Sequence, residues 1–123
     1  MFDRPLAREI IRQMIEAARR IERRTAGLSN PNDFLSSDEG LDKLDAVCMM
    51  LIAIGESCKQ LDKYTDGQLL PRYPEIDWKG VKGIRDVMSH QYFDINAEII
   101  YSVCRTHIPH LKTTLEVMYQ DMQ

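Results

Sequence analysis

The residues best suited to chemistry in this chain lie in one short segment, from Arg85 to Tyr92. Arg85 carries a guanidinium that can grip a phosphodiester through two hydrogen bonds and neutralise charge in a transition state. His90 can accept or donate a proton near neutral pH, because the ordinary pKa of histidine is about 6.5. Tyr92 adds a hydroxyl group that can be modified. Together these side chains predict RNA cleavage in which His90 moves a proton of the 2′-hydroxyl or the leaving oxygen.

This chemistry needs no metal ion, and the sequence predicts no metal site and no cofactor. His107 and His110 are the one close histidine pair, and two ligands alone do not make a site. Metal-free cleavage does need both an acid and a base, whereas the segment offers one histidine. A symmetric dimer would supply the second by placing two copies of Arg85 and His90 in one cleft.

The same residues also have a plainer interpretation. An arginine and a histidine near a helix end often interact with the helix dipole, and Tyr92 and Phe93 would then be core aromatics. His90 lies five residues after Arg85, about 140° around an ideal helix. Their side chains converge on one target only if the helix ends between them, so we expect it to fray near Ser89.

Charge is distributed unevenly along the chain. The 123 residues include 16 Lys and Arg against 19 Asp and Glu, a formal net charge of -3, which argues against tight nonspecific binding of nucleic acid. Lys79, Lys82 and Arg85 nevertheless recur at intervals of three on the predicted third helix. We expect this basic ridge to contact RNA through Lys79 and Lys82.

Apolar periodicity and turn residues predict an all-α protein, an antiparallel bundle of four to five helices in one domain over residues 1–123. Asp3 is a plausible N-cap for the first helix, with Pro5 in its first turn, and Asn96 caps the fourth. Pro109 marks a kink or a restart. A loop is expected at 28–37 and an irregular linker at 65–74. Helices are expected at 5–26, 38–64, 77–89 and 97–107, with a last helix that carries Leu111, Leu115 and Met118.

The middle of the second helix is apolar nearly all round, owing to Ala46, Met49, Met50 and Ala53. A helix that is apolar on most sides must be covered on most sides. Two alternatives follow: this helix is the central helix of the bundle, or part of it faces another subunit.

Cysteine usage and the N-terminal residues predict a cytoplasmic protein that does not enter a membrane. Cys48, Cys58 and Cys104 form no C-x-x-C pair and suit small buried positions in a reducing compartment. The N-terminus becomes charged at Asp3 and Arg4 without an apolar region typical of a signal peptide. No apolar run is long enough to span a bilayer.

The spacing Arg85-x4-His90-x-Tyr92 resembles the R-x4-H-x-Y signature of HEPN-fold, HepT-like ribonuclease toxins. The resemblance covers about residues 41–118. It extends to the flanking motifs Ile54-Gly55-Glu56, Arg72-Tyr73-Pro74-Glu75-Ile76-x-Trp78 and Gly83-Ile84-Arg85-Asp86.

This resemblance implies a HEPN helical bundle that works as a homodimer, with both motifs in a shared cleft. It implies a metal-independent endoribonuclease with Arg85 and His90 as catalytic pair and Asp86 organising the site. Glu56 matches the family as well, either as a site residue or as the partner of a basic side chain. The implied partner is an MntA-type minimal nucleotidyltransferase antitoxin that transfers adenylyl groups from ATP to Tyr92, which would block the RNA cleft with negative charge.

Two other functions remain open from the sequence. The runner-up is a non-catalytic HEPN module that binds a nucleotidyltransferase, a nucleotide or RNA without cutting it, which suits the net acidity of the chain. The third is a structural helical dimer in which Arg85 and His90 only cap a helix.

Overall fold

The computed structural model describes residues 2–90 and 94–123, apart from the side chains of Ser89 and His90. The described part of the chain is all-α and contains no strand, as predicted. Short 3₁₀ turns occupy Pro31–Phe34 and Leu70–Arg72, and a π-helical segment occupies Val103–His107. The α-helices are α1 (Arg4–Thr25), α2 (Asp38–Tyr64), α3 (Trp78–His90), α4 (Ala97–Ser102) and α5 (Ile108–Asp121).

Side-chain caps fix where these helices begin. The carboxylate of Asp3 accepts a hydrogen bond from the amide of Leu6 at 3.0 Å, and Pro5 lies in the first turn, where its missing N–H is not needed. Asn96 accepts from the amide of Ile99 at 3.3 Å. Both predicted N-caps are thus confirmed, and α2 has the predicted bounds.

The predicted loop at 28–37 is partly wrong, because Pro31–Phe34 forms a 3₁₀ turn. The aromatic ring of Phe34 is fully buried, so its packing in the core helps to hold the turn in place. The start of α2 packs closely on this turn. A Cβ atom on Gly40 would overlap the carbonyl oxygen of Asp33, which explains a glycine in the first turn of a helix.

The fourth helix also differs from the prediction. Regular α-helix ends at Ser102, and the π-helical segment then leads directly into α5. Ile108 donates its amide to the carbonyl of Val103, five residues back. Since Pro109 has no N–H to offer, regular α-helical hydrogen bonding cannot run unbroken through this region, and the wider π turn takes its place.

The core forms where α1 packs on both α2 and α5, while α2 also packs on α3. The helix α2 therefore packs on two neighbours, but the apolar side chains in its middle are not fully covered, and both alternatives for that apolar middle stay open. One side of it stays open, since Met49 is 61% exposed. The largest fully buried side chains on these helices are Ile11, Met14, Ile21, Leu51, Ile54, Leu61, Leu115 and Met118.

The three cysteines are buried free thiols; the sequence predicts burial for Cys48 and Cys58, whereas it does not tell the exposure of Cys104. Desolvation raises the pKa of Cys48 to about 11 and that of Cys58 to about 12. Burial likewise raises the pKa of Cys104 to about 12. Among the described residues, no helix combines the length and the hydrophobicity needed to cross a bilayer.

Candidate active site

The helix that carries Arg85 is held close against α2 by a glycine. A Cβ atom on Gly55 would lie 3.1 Å from Cβ of Arg85 and 3.1 Å from the carbonyl oxygen of Val81. A larger residue at 55 would therefore push on the backbone and side chains of α3. The glycine thus allows the close approach of the two helices and sets Arg85 directly beside α2.

Arg85 belongs to a group of four charged side chains that joins the two helices, here called the charge quartet: Glu56 and Lys59 on α2, Arg85 and Asp86 on α3. The Nε atom of Arg85 lies 2.7 Å from Oε1 of Glu56. Its Nη1 atom donates to Oδ1 of Asp86 at 3.2 Å. Nζ of Lys59 approaches the same Asp86 oxygen to 3.5 Å. Two cations and two carboxylates therefore meet at one point on the surface.

The charge quartet is open to solvent. Its side chains are 39% exposed at Arg85, 45% at Glu56, 40% at Lys59 and 55% at Asp86. The hydrogen bond from Arg85, with the positive charge of Lys59, holds the pKa of Asp86 below its ordinary value, so this carboxylate is ionised at neutral pH. Exposed ion pairs contribute only about 0–1 kcal/mol, so these contacts can rearrange readily when a ligand arrives.

One of the two lysines in the predicted basic ridge is already paired with an acidic residue. Lys82 forms an ion pair with Asp62 of α2, so its charge is already matched. Lys79 is exposed and has no ion pair with the described residues. RNA contacts of Lys79 and Lys82 stay a prediction.

Helix α3 extends to His90, one residue past Ser89. The prediction that the helix frays near Ser89, between Arg85 and His90, is therefore wrong. A physical reason lies in Met88, which is only 4% exposed and anchors the last turn of α3 in the core. The side chain of His90 and the whole of Tyr92 lie outside the described residues. Convergence of Arg85 with His90, and any modification of Tyr92, therefore stay predictions.

Sequence reasoning assigned Arg85, Asp86 and Glu56 to one site, and the structure brings these three together. It missed Lys59, whose contact with Asp86 joins residues on two different helices. A signal was present, since Lys59 follows Glu56 by three residues and shares its helix face. Finding it required the relative position of α2 and α3, which periodicity does not give.

The other side of α3 faces an apolar cleft of about 390 Å³. Its walls include Val81 and Ile84 of α3, and His107 and Leu111 from the last helical stretch.

Nε2 of His110 lies 3.3 Å from the backbone carbonyl of Glu75. In the described part of the chain, no three His, Cys, Asp or Glu residues come together as metal ligands.

Comparison with known proteins places these features in context. A family model described as "Ribonuclease HepT-like" matches residues 14–118, most of the chain. Over 78 residues the chain is 33% identical to "Putative RNase MJ0127" of Methanocaldococcus jannaschii, which covers 63% of this chain and 61% of that protein. It is 32% identical over 71 residues to "Probable ribonuclease HepT" of Thermococcus cleftensis, covering 58% of this chain and 61% of that protein.

A second protein of Methanocaldococcus jannaschii, "Putative RNase MJ0125", is 31% identical over 78 residues, covering 63% of this chain and 64% of that protein. The chain thus spans less than two thirds of the length of each of these relatives. No solved structure matches it.

Proposed function

Because this chain belongs to the HepT-like ribonuclease family, we propose that it is a metal-independent endoribonuclease and that Arg85 and His90 carry the reaction. The observation that carries the proposal is the position of Arg85. Its side chain is 39% exposed, and its guanidinium lies among side chains that hold it through contacts a phosphate can replace.

The proposed reaction uses the 2′-hydroxyl of RNA as its nucleophile. His90 removes the 2′-hydroxyl proton, the 2′-oxygen attacks phosphorus, and the bond from phosphorus to the 5′-oxygen breaks. A second proton donor supplies the leaving oxygen with a proton. The products are a 2′,3′-cyclic phosphate and a 5′-hydroxyl. Arg85 neutralises the charge that builds on the phosphoryl oxygens, and Asp86 orients Arg85.

The second proton donor is the reason for proposing a homodimer. A twofold axis beside the charge quartet would bring His90 of a second subunit close to the same phosphodiester. Exposed apolar side chains near the quartet support this. Met49 lies seven residues before Glu56 and so shares its face of α2, and Val87, next to Asp86, is 51% exposed.

The direct test is RNA cleavage in the presence of EDTA. Wild-type protein should degrade RNA, and His90→Ala should abolish cleavage while light scattering still shows a dimer. The matched control is His110→Ala, which removes an exposed imidazole that lines the apolar cleft and lies 3.3 Å from the backbone carbonyl of Glu75, and it should keep full activity. Equal cleavage by wild type and His90→Ala would refute the proposal. RNA that is bound but stays intact would favour the non-catalytic binding module.

We further propose that the chain is the toxin of a toxin–antitoxin pair. The partner is a minimal nucleotidyltransferase that adenylylates Tyr92, adding negative charge where a substrate phosphate would bind. Incubation with the cognate transferase and ATP should raise the intact mass by whole adenylyl units, and Tyr92→Phe should abolish the increase. Tyr73→Phe is the control and should be modified like wild type. An unchanged wild-type mass would count against this partner without affecting the ribonuclease assignment.

A further inference from the structure

We infer that Lys59 and Arg85 together form a two-cation phosphate site and that Glu56 is the counter-ion which a phosphodiester displaces from it. The inference rests on the proposed function for the identity of the ligand, an RNA phosphodiester. It adds a second phosphate-binding residue, Lys59, and gives Glu56 a role as competitor of the substrate.

The first argument is the shared carboxylate. Lys59 and Arg85 approach the same oxygen of Asp86, at 3.5 Å and 3.2 Å respectively. Nζ of Lys59 and Nη1 of Arg85 therefore lie no farther apart than the sum of these two distances, so one phosphate can accept from both cations through different oxygens while Asp86 keeps its place. Lys59 supplies a point charge, and the fork of Arg85 supplies directed hydrogen bonds to two phosphate oxygens.

The second argument is the difference between the two carboxylates. Asp86 is held by both cations, and its pKa is lowered by them. Glu56 is held by Arg85 alone among the described residues, through Oε1, at 2.7 Å. Its side chain is long and 45% exposed, so it can turn into solvent without leaving a buried group unpaired. Glu56 is therefore the carboxylate that leaves.

The third argument is that the fold does not need the Glu56–Arg85 contact. The Lys82–Asp62 ion pair already links the same two helices, and its side chains are less exposed, at 30% and 29%. The two helices also pack closely at Gly55, independently of the Glu56–Arg85 contact. The ion pair of Glu56 with Arg85 is thus available for exchange while α3 stays in place.

Displacing Glu56 from Arg85 should lower the affinity for the phosphodiester by a measurable factor. An exposed ion pair contributes up to about 1 kcal/mol, which corresponds to roughly a fivefold change in affinity. Glu56→Gln should therefore tighten phosphodiester binding by up to roughly fivefold, because the ligand no longer competes with a carboxylate. Lys59→Gln should weaken it by a similar factor, since one cation is lost.

The test is binding of a fluorescein-labelled, 2′-O-methyl oligoribonucleotide, measured by anisotropy at fixed salt. This probe has no 2′-hydroxyl and cannot be cleaved, so the measurement is independent of catalysis. The control is Glu22→Gln, which also removes one negative charge from an interhelical ion pair, with Lys112 at 2.9 Å on the α1–α5 side. It should leave the affinity for the probe within twofold of wild type.

Tighter binding by Glu56→Gln, weaker binding by Lys59→Gln and no change in the control would support the inference. Equal or weaker binding by Glu56→Gln would overturn it, as would unchanged binding by Lys59→Gln. Circular dichroism of each variant checks that the helices are intact. A wild type that cleaves RNA while Glu56→Gln binds no tighter would refute this inference alone. Tighter binding without cleavage in any form would refute only the ribonuclease.

Discussion

Replacement of Gly55 by alanine tests whether the close contact between α2 and α3 holds Arg85 in place. Two effects oppose each other in this variant. Alanine is favoured over glycine inside a helix by about 1 kcal/mol. The new Cβ, however, would lie 3.1 Å from Cβ of Arg85 and from the carbonyl oxygen of Val81, and overpacking of this kind costs about 1–3 kcal/mol. We therefore expect Gly55→Ala to be neutral or to destabilise the protein by about 2 kcal/mol.

The matched control is Gly83→Ala on α3, where a new Cβ would meet nothing within 4 Å. It gains the helix preference without the clash and should stabilise the protein by about 1 kcal/mol. The difference between the two variants isolates the contact at Gly55. For a chain of this length, 1 kcal/mol corresponds to a shift in Tm of about 4 °C.

The assay is thermal unfolding followed by circular dichroism, at one protomer concentration because dimerisation would also affect Tm. Gly55→Ala should unfold at least about 4 °C below Gly83→Ala. Equal Tm values would refute the reasoning, since they would show that α3 yields to the added methyl group at no cost.

Three further predictions follow from burial and charge. Phe34→Ala should lower the free energy of unfolding, measured in urea, by about 3–5 kcal/mol, because the Phe34 ring is fully buried. A decrease below about 1 kcal/mol would contradict this prediction. Hydrogen bonds from Arg19, the larger contribution, and from Arg20 lower the pKa of Glu16 to about 2. Because the pKa of Glu16 is lower in the folded protein, its ion pairs stabilise the fold above the ordinary value of 4.5, and this stabilisation is lost as the pH falls toward 2. An NMR titration of the Glu16 carboxyl group with a midpoint near 4.5 at low salt would contradict this prediction. The three buried cysteines should resist a thiol reagent until the protein unfolds, because burial raises the pKa of each thiol to about 11 or 12; rapid labelling of the native protein would be the opposite result.

Much of the fold could be predicted from the sequence because its signals are local. Asp3 and Asn96 cap the helices that follow them, and the long apolar stripe of α2 predicts that helix. The two misplaced elements have different causes, since the turn at Phe34 involves contacts with distant helices whereas the π-helical segment follows from the missing N–H of Pro109. Phe34 is buried in a 3₁₀ turn where a loop is expected, and the π-helical segment before Pro109 replaces the expected end of the fourth helix.

The site divides in the same way. The identity of Arg85 and its place on α3 follow from the motif, and its neighbour Asp86 follows with it. The partners on α2 do not, because the contacts of Glu56 and Lys59 depend on how two helices lie against each other. Gly55 allows that close approach because it has no side chain, an effect that is visible only once both helices are placed.

The chemical ends of the cleaved RNA test the central claim most directly. A defined oligoribonucleotide is incubated with the protein in EDTA, and the products are resolved by mass spectrometry. Attack by the 2′-oxygen, with His90 as base and Arg85 on the phosphate, predicts a 2′,3′-cyclic phosphate and a 5′-hydroxyl. Products with a 3′-hydroxyl and a 5′-phosphate, or activity that EDTA abolishes, would contradict the account.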